Sequence, residues 1–297
     1  MPVIRTPDEK FHNLPDYPFN PRFADINGMR VHYVDEGAGE VVLCLHGEPS
    51  WSYLYRKMIP VMAKKCRVVA PDFIGFGKSD KFTRMEEYTY AMHRDTIIRL
   101  IEKLDIKGIT IVVQDWGGLI GLRVVSVIPE RFARLVIMNT GLPTGEGQMP
   151  EAFMQWRKFA LQTPDLPIGA IIRGGTAINK NLPPEVIAAY DAPFPSPEYK
   201  AGAKAWPLMV PISQDDEAAP ELKAAREFLK TWNKPALIMF SDGDPITRGG
   251  DKFFRALIPS AKDQPEIEIK RAGHFLQEDK GEEIAIHILD FIKRAPR

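Results

Sequence analysis

The chain has 297 residues, of which 44% are hydrophobic, and its 39 basic and 39 acidic residues give a formal net charge of zero. A chain of this kind can bury a sizeable core, and its balanced charge argues against partners such as nucleic acid or an anionic membrane. It lacks the apolar core of a signal peptide and any apolar run near the ~20 residues that span a bilayer, so a soluble cytoplasmic protein is expected.

The chain begins with a predicted hairpin, because strands at 23–26 and 29–36 flank Asn27-Gly28, a strong hairpin signal. The pattern then changes to short apolar strands separated by helical segments, which is typical of a parallel sheet covered on both faces. These strands are predicted at 41–45, 67–70, 109–113, 134–138, 236–240 and 266–270. One intervening helix is indicated by apolar residues at helical spacing, namely Ile97, Leu100, Ile101 and Leu104.

The strand pattern stops between about residues 142 and 215. Helical pieces at 151–161 and 184–190 are broken there by repeated prolines and glycines, and the strands resume only afterwards. The sequence therefore predicts a helical cap at 142–215 inserted into an α/β core made of residues 1–141 and 216–297. A last helix is predicted to bury Ile284, Ile288, Phe291 and Ile292.

Asp115 stands at the turn between the strand at 109–113 and a helix that opens at Gly117. The small residues that follow it allow the helix to approach the strand, as in the nucleophile elbow of α/β-hydrolases, where a serine is usual. A carboxylate with a reference pKa of about 3.9 is ionised near neutral pH and needs no base. It can displace a leaving group from saturated carbon and become an ester. The alternative is an ordinary helix N-cap.

Further candidate groups also follow the carboxyl ends of predicted strands, where open α/β sheets form their ligand crevices. Asp242 and Asp244 follow one late strand in Ser-Asp-Gly-Asp-Pro, and His274 follows the last strand. The chain order of nucleophile, acid and histidine is that of the α/β-hydrolase triad, so the predicted fold is an α/β-hydrolase core with a mostly parallel sheet and an inserted helical cap. His274 would take a proton from water, and one of the two aspartates would orient its ring. Spacing alone does not separate Asp242 from Asp244.

The loop His46-Gly47-Glu48-Pro49 follows the strand at 41–45 and would supply one backbone N–H of an oxyanion hole. The donors would be the N–H groups of Glu48 and Trp116, unless the loop is simply a tight turn. The indole of Trp116 is a donor only, which suits an anionic leaving group. Trp156 in the cap is the candidate for a second donor, and its alternative role is core packing of an amphipathic helix.

Taken together, these segments resemble the motifs of haloalkane dehalogenases, and the resemblance spans the chain. The matching segments are Leu45-His46-Gly47-Glu48-Pro49-Ser50-Trp51, Pro71-Asp72-Phe73-Ile74-Gly75-Phe76-Gly77-Lys78-Ser79-Asp80, Val112-Val113-Gln114-Asp115-Trp116-Gly117-Gly118 and Ala272-Gly273-His274-Phe275. Within that family the chain is similar to the subfamily with its acid after the late strand and a second halide-binding tryptophan in the cap. That register implies Asp244 and Trp156. The other main arrangement has asparagine in place of Glu48 and an acid near Met138, where this chain has Asn139.

The resemblance implies hydrolysis of a carbon–halogen bond with no cofactor and no metal. Asp115 would attack the halogen-bearing carbon, Trp116 and Trp156 would hold the halide, and water activated by His274 would cleave the ester. The expected partners are a small haloalkane, water and the halide ion, with the chain a monomer or weak homo-oligomer. Neither zinc-ligand spacing nor a glycine-rich phosphate loop is found in the sequence.

Two competing hypotheses remain. An epoxide hydrolase would use the same aspartate, histidine and acid, with cap tyrosines as proton donors, and Tyr190 and Tyr199 lie in the predicted cap. A noncatalytic ligand-binding protein of the same fold would retain the pocket without turnover, although the complete triad argues against it.

Overall fold

The computed structural model of the chain describes residues 3–177 and 182–296. The strands are β1 (Val3–Ile4), β2 (Arg22–Ile26), β3 (Met29–Gly37), β4 (Glu40–Leu45), β5 (Cys66–Pro71), β6 (Lys81–Phe82), β7 (Ile109–Gln114), β8 (Phe132–Met138), β9 (Ala236–Ser241) and β10 (Ile267–Ile269). The α-helices are α1 (Ile59–Met62), α2 (Tyr90–Lys103), α3 (Trp116–Val127), α4 (Glu151–Gln162), α5 (Ile168–Gly174), α6 (Pro184–Asp191), α7 (Ala201–Met209), α8 (Ala219–Leu229), α9 (Gly250–Leu257) and α10 (Leu276–Arg294).

The main sheet has the strand order β10-β9-β8-β7-β4-β5-β3-β2. Neighbouring strands from β10 to β5 run parallel, whereas β3 pairs antiparallel with both β5 and β2. The predicted mostly parallel sheet is confirmed. The predicted hairpin is also confirmed, with φ of 54° at Asn27 and 80° at Gly28, the conformation that favours this residue pair in tight turns.

Both faces of the sheet are covered, because alternate residues of the central strands enter two different apolar clusters. In β4, Leu43 and Leu45 pack into one cluster, and Val42 and Cys44 pack into the other. All six residues of β7 are buried. A parallel strand with helices on both faces meets no water, which explains why these segments are continuously apolar rather than alternating.

The segment between β8 and β9 contains helices α4 to α8 and, in the part that the structure describes, no strand. Of these helices, α8 packs against α3 of the sheet layer. A hydrogen bond fixes α7 to the layer beneath it, since the indole of Trp206 donates to Nε2 of His93 in α2 at 2.7 Å. No helix in the described ranges combines the length and apolar character needed to cross a bilayer.

A buried ion pair joins three parts of the chain. Arg56 donates to both carboxylate oxygens of Glu278, at 2.5 and 2.7 Å, and the Tyr190 hydroxyl donates to Glu278 at 2.6 Å. Lys57 adds a third cationic contact at 2.9 Å. Glu278 opens α10, four residues after His274, and Tyr190 belongs to α6, so this cluster connects the last helix with the helical segment. Burial raises the pKa of Glu278, but the hydrogen bond and charge of Arg56 and the charge of Lys57 outweigh it, and the pKa falls to about 2.

Replacing Glu278 should destabilise the fold, because it breaks this buried ion pair. We expect Glu278→Gln to lower the free energy of unfolding at pH 7 by about 3–5 kcal/mol, because it leaves Arg56 buried without its counter-charge. A depressed carboxylate pKa stabilises the fold above the unfolded-state value of about 4.3 and loses that contribution as the pH falls towards 2. The difference between wild type and variant should therefore shrink from pH 5 downwards.

Urea unfolding monitored by circular dichroism at several pH values measures this difference. The matched control is Glu227→Gln, which removes an exposed ion pair with Lys230 and should cost less than about 1 kcal/mol. Equal effects of the two substitutions at pH 7 would contradict the assigned role of Glu278.

Candidate active site

Asp115 lies at a sharp turn between β7 and α3, with φ of 51° and ψ of −125°. A non-glycine residue in this left-handed region carries strain of about 1–3 kcal/mol, which the surroundings must hold. The Asp115 N–H donates to the carbonyl of Asn139 at 3.0 Å, and the Thr140 hydroxyl donates to the Asp115 carbonyl at 2.7 Å. Although Asp115 occupies the N-cap position of α3, its side chain makes no capping hydrogen bond. The carboxylate therefore remains available to the cavity.

Two glycines make room for this turn. A Cβ at Gly117 would lie 2.1 Å from the carbonyl oxygen of Leu45, so only glycine lets α3 come this close to β4. A Cβ at Gly47 would lie 2.4 Å from the carboxylate of Asp115. A glycine after the turn, at Gly117, and one in the loop after β4, at Gly47, are therefore required by the close approach of backbone and carboxylate.

The loop after β4 binds the carboxylate directly, since the Glu48 N–H donates to Asp115 Oδ1 at 2.7 Å. This is one of the two donors expected from the sequence. For the other, the N–H of Trp116, the described residues show no hydrogen bond to the carboxylate in this state, and its role as a donor stays a prediction.

His274 lies between two carboxylates. Its Nδ1 is 2.9 Å from Asp244 Oδ2, and its Nε2 is 3.5 Å from Asp115 Oδ2. Asp244 is held in turn by the Thr247 hydroxyl at 2.5 Å and the Ile246 N–H at 2.8 Å.

The alternative acid, Asp242, faces elsewhere. Its carboxylate accepts from the Ala272 N–H at 3.2 Å, and the residue is exposed. The structure thus brings Asp244, rather than Asp242, to the histidine, a choice that spacing left open and family register favoured.

The two flanking charges control the protonation of His274. Burial disfavours the charged ring, but the charge of Asp244 and the hydrogen bonds with Asp115 and Asp244 outweigh it and raise the pKa of His274 well above its usual 6.5. Burial likewise raises the pKa of Asp244, yet the charge and hydrogen bond of His274 bring the net pKa below its ordinary value. At neutral pH the resting site therefore contains a protonated imidazole between two carboxylates.

Glu48 is a third acid at this site, and its pKa shifts in the opposite direction to that of Asp244. Burial, and then repulsion by Asp115, raise the pKa of Glu48 well above its ordinary value. Its Oε1 is buried and has no hydrogen-bond partner among the described residues. Both effects favour the protonated form of Glu48, which would avoid a second negative charge beside Asp115.

Sequence reasoning gave no role to two polar residues at strand ends. Gln114 Nε2 lies 3.2 Å from both His274 Nε2 and the His274 carbonyl, and an amide N–H₂ can donate only to an unprotonated ring nitrogen. Asn139 donates to the carbonyls of Gly273 and His274 at 3.0 and 3.1 Å. Gln114 ends the apolar strand β7, and Asn139 directly follows the apolar strand β8. A polar amide at the end of an apolar strand was the sequence signal that could have identified both residues.

Asp115 and His274 open onto a largely apolar cavity of about 730 Å³. Trp116 and Trp156, the two candidate indole donors, both line it, as do Glu48 and Thr247. A pocket of this size with a few convergent polar groups has the general form of a small-molecule site. The described residues contain no group of three or more His, Cys, Asp or Glu side chains placed to hold a metal ion.

An aromatic layer supports the Trp116 indole from behind. Trp206 stacks on it with ring centroids 4.9 Å apart and an interplanar angle of 25°. The hydrogen bond to His93 fixes Trp206 in turn. Burial lowers the pKa of His93 to about 3, so this imidazole is neutral and accepts at Nε2.

The cap tyrosines expected of an epoxide hydrolase do not reach the cavity. Tyr190 is buried against Glu278, and Tyr199 packs against the apolar core as a half-buried side chain. Neither residue lines the cavity, and no tyrosine is found among the described residues that do.

The chain is similar to known proteins in both sequence and structure. Residues 40–281 match a family model described as the alpha/beta hydrolase fold. The chain is 47% identical to a haloalkane dehalogenase of Psychrobacter cryohalolentis over the full length of both chains. It is 46% identical to one of Mycobacterium marinum, over 98% of this chain and 100% of the relative. Among solved structures, the tetrameric haloalkane dehalogenase DpaA of Paraglaciecola agarilytica NO2 superposes with a TM-score of 0.91 at 39% identity, covering 98% of each chain.

Removing one of the two charges beside His274 should make its proton easier to lose. We expect Asp115→Asn to lower the pKa of His274, because the neutral amide takes away one charge and one hydrogen bond that favour the imidazolium. A pH titration of the ring by NMR, with histidine-selective isotope labelling, measures the change. Asp242→Asn is the control and should leave the titration unaltered. Identical titrations of wild type and Asp115→Asn would refute the coupling.

Proposed function

The chain belongs to the haloalkane dehalogenase family, and we propose that it hydrolyses the carbon–halogen bond of haloalkanes through a covalent alkyl ester on Asp115. The observation that carries the proposal is a carboxylate at the turn after β7, in contact with a histidine–aspartate pair and facing an apolar cavity lined by two tryptophans. We assign residues 142–215 to the cap that closes this cavity and residues 1–141 and 216–297 to the core.

In the first half of the reaction, an Asp115 carboxylate oxygen attacks the halogen-bearing carbon, and the halide leaves with the bonding electron pair. No proton moves, because the nucleophile is already an anion. The indole N–H groups of Trp116 and Trp156 receive the halide in a cavity where little water competes for it. The neutral state of Glu48 supports this step, since a second carboxylate there would repel the leaving anion.

Formation of the ester changes the state of His274. Asp115 becomes neutral, so one of the two charges that hold the imidazolium proton disappears and the proton can leave. The Nε2 atom is then a free base, while Nδ1–H remains on Asp244. Gln114 favours the same state, because its amide can donate only to the unprotonated Nε2. Alkylation of the nucleophile thereby activates the base for the second half-reaction.

In the second half, His274 removes a proton from water and the oxygen attacks Cγ of Asp115. The Glu48 N–H, and in our proposal the Trp116 N–H, stabilise the resulting oxyanion. Its collapse breaks the ester bond, and the departing alkoxide takes the proton from His274 to leave as the alcohol. Asp115, now a carboxylic acid, gives its proton to Nε2 of His274, which restores both groups to their resting ionised forms; the one proton released overall is therefore the one that His274 lost to solvent after alkylation. The sum is haloalkane plus water giving alcohol, halide and a proton, with no cofactor.

Catalysis in this scheme does not depend on assembly, because all proposed catalytic groups belong to one chain. We retain a monomer or weak homo-oligomer as the proposed state, although DpaA is a tetramer. Sedimentation at assay concentration distinguishes these states.

Separating the two half-reactions tests the function. With 1-bromobutane, we expect His274→Ala to release about one bromide per enzyme and then stall as a butyl ester on Asp115, since only ester hydrolysis needs the base. Steady-state bromide release should fall by about 10²–10⁴-fold. Intact mass spectrometry and peptide mapping locate the adduct, and Asp115→Ala should show neither adduct nor bromide release.

The control is His287→Ala, a half-buried α10 histidine that does not line the cavity and should turn over normally. Folding of each variant is checked by circular dichroism. Wild-type enzyme that forms a diol from styrene oxide but releases no bromide would replace this function with epoxide hydrolysis. Binding of bromobutane with neither reaction would indicate a noncatalytic protein.

The halide site can be tested without turnover. We expect bromide to quench tryptophan fluorescence in the wild type, and Trp156→Phe to weaken bromide binding by about tenfold or more, the typical loss for a hydrogen bond to an ion. Trp232→Phe is the matched control, because Trp232 is buried away from the cavity. An unchanged dissociation constant in Trp156→Phe would remove this residue from the halide site.

A further inference from the structure

One strongly basic side chain forms part of the apolar cavity wall without an evident role in the reaction. Arg226 is a half-buried residue of α8 that lines the cavity together with Phe253. Its guanidinium carbon lies 4.9 Å from the centre of the Phe253 ring. The contact with an aromatic face fixes the plane of the guanidinium and shields one side of it from water.

Arg226 lacks a counter-charge. Its Nε is buried with no hydrogen-bond partner, and no carboxylate lies within ion-pair distance of its guanidinium in the described part of the chain. The two acids of neighbouring turns, Glu221 and Glu227, are committed to Arg94 and Arg123 and to Lys230 respectively.

Glu146 is the acid that influences Arg226 across the cavity mouth. Burial lowers the pKa of Arg226, and the charge of Glu146 partly restores it. Glu146 itself is exposed, accepts from the Thr144 hydroxyl at 3.3 Å and lies 3.7 Å from the ammonium of Lys223. It therefore screens Arg226 without neutralising it, and arginine remains protonated at any pH at which the enzyme folds.

The other charged residues that line the cavity are already accounted for. Asp115, His274 and Glu48 form the proposed catalytic site, and Arg248 is exposed. An unpaired, partly desolvated cation in an apolar wall is costly unless a ligand supplies the missing charge. Its planar fork matches the two oxygens of a carboxylate.

We propose that Arg226 binds a carboxylate at the end of the substrate chain opposite to the halogen, so that the preferred substrates include ω-haloalkanoates. The inference rests on the proposed function and names a substrate class for that same site. The carboxylate must be separated from the halogen by several methylene groups, because a short 2-haloacid would bring its charge beside Asp115. A flexible alkyl spacer fills the apolar part of the cavity between the two ends.

The test compares 6-bromohexanoate with 6-bromohexanamide, which has the same length and no charge. For each enzyme form, the ratio of the two kcat/KM values isolates recognition of the charge from turnover. We expect the wild-type ratio to exceed one and Arg226→Gln to lower it by about ten- to a hundredfold, mostly through the KM of the carboxylate. Arg226→Lys keeps the charge without the fork and should retain part of the preference.

Arg248→Gln is the matched control, since it removes an exposed cation at the edge of the same cavity and should not alter the ratio. A ratio lowered by Arg248→Gln and not by Arg226→Gln would overturn the assignment, as would a wild-type ratio of one or below. Equal losses for both substrates in a folded Arg226→Gln enzyme would also overturn it. Wild type that releases bromide from 1-bromobutane but shows no preference refutes only this inference, whereas no release from any bromoalkane refutes the proposed function itself.

Discussion

The hydrogen bond from the Glu48 N–H to Asp115 joins the ends of β4 and β7, and the arrangement of the site depends on it. Both strands run parallel at the centre of the sheet, so their carboxyl ends meet at one edge. The strained turn at Asp115 projects the carboxylate over that edge, and the absence of side chains at Gly47 and Gly117 allows the contact. A shift of the end of β7 would move Asp115 away from the Glu48 N–H and from His274 together.

The charged groups of the site differ in their favoured protonation state and in their access to the cavity. Four acidic or basic groups meet beside the cavity, and Asp115 is the carboxylate among them that is both ionised in the proposed mechanism and open to substrate. Burial and the charge of Asp115 favour the neutral form of Glu48, whereas His274 and Asp244 stabilise each other as an ion pair. A histidine held in its charged form is a poor base, so in the proposed mechanism His274 becomes a base only after Asp115 has been alkylated. Activation of the base is thereby coupled to formation of the ester.

Much of the fold could be predicted from the sequence, because buried parallel strands and their loops carry local signals. The strands of the eight-stranded sheet were predicted to within about two residues, whereas the short strands β1 and β6 were not predicted. Helix α2 begins earlier than the apolar spacing alone indicated, at a cap supplied by Thr89. The choice between Asp242 and Asp244 was not local, since it depends on which carboxylate the loop turns towards the ring of His274. The roles of Gln114 and Trp206 were missed for the same reason: each contacts a residue more than a hundred positions away. Trp156 was a candidate because it is an indole donor in the predicted cap, and family register favoured it; its place in the cavity wall supports that assignment without testing it.

The aromatic layer behind Trp116 has a consequence for the escape of the product ion. Its buried imidazole, His93, is uncharged throughout the range in which the protein would work, and its Nε2 accepts from the Trp206 indole. In the proposed reaction, the expelled halide is therefore met on that side by oriented dipoles and polarisable rings rather than by a fixed cation. Dipoles stabilise an anion as it forms but hold it less tightly afterwards than an ion pair in a dry cavity would. In the proposed reaction, a neutral His93 therefore favours fast release of the halide from the cavity between turnovers.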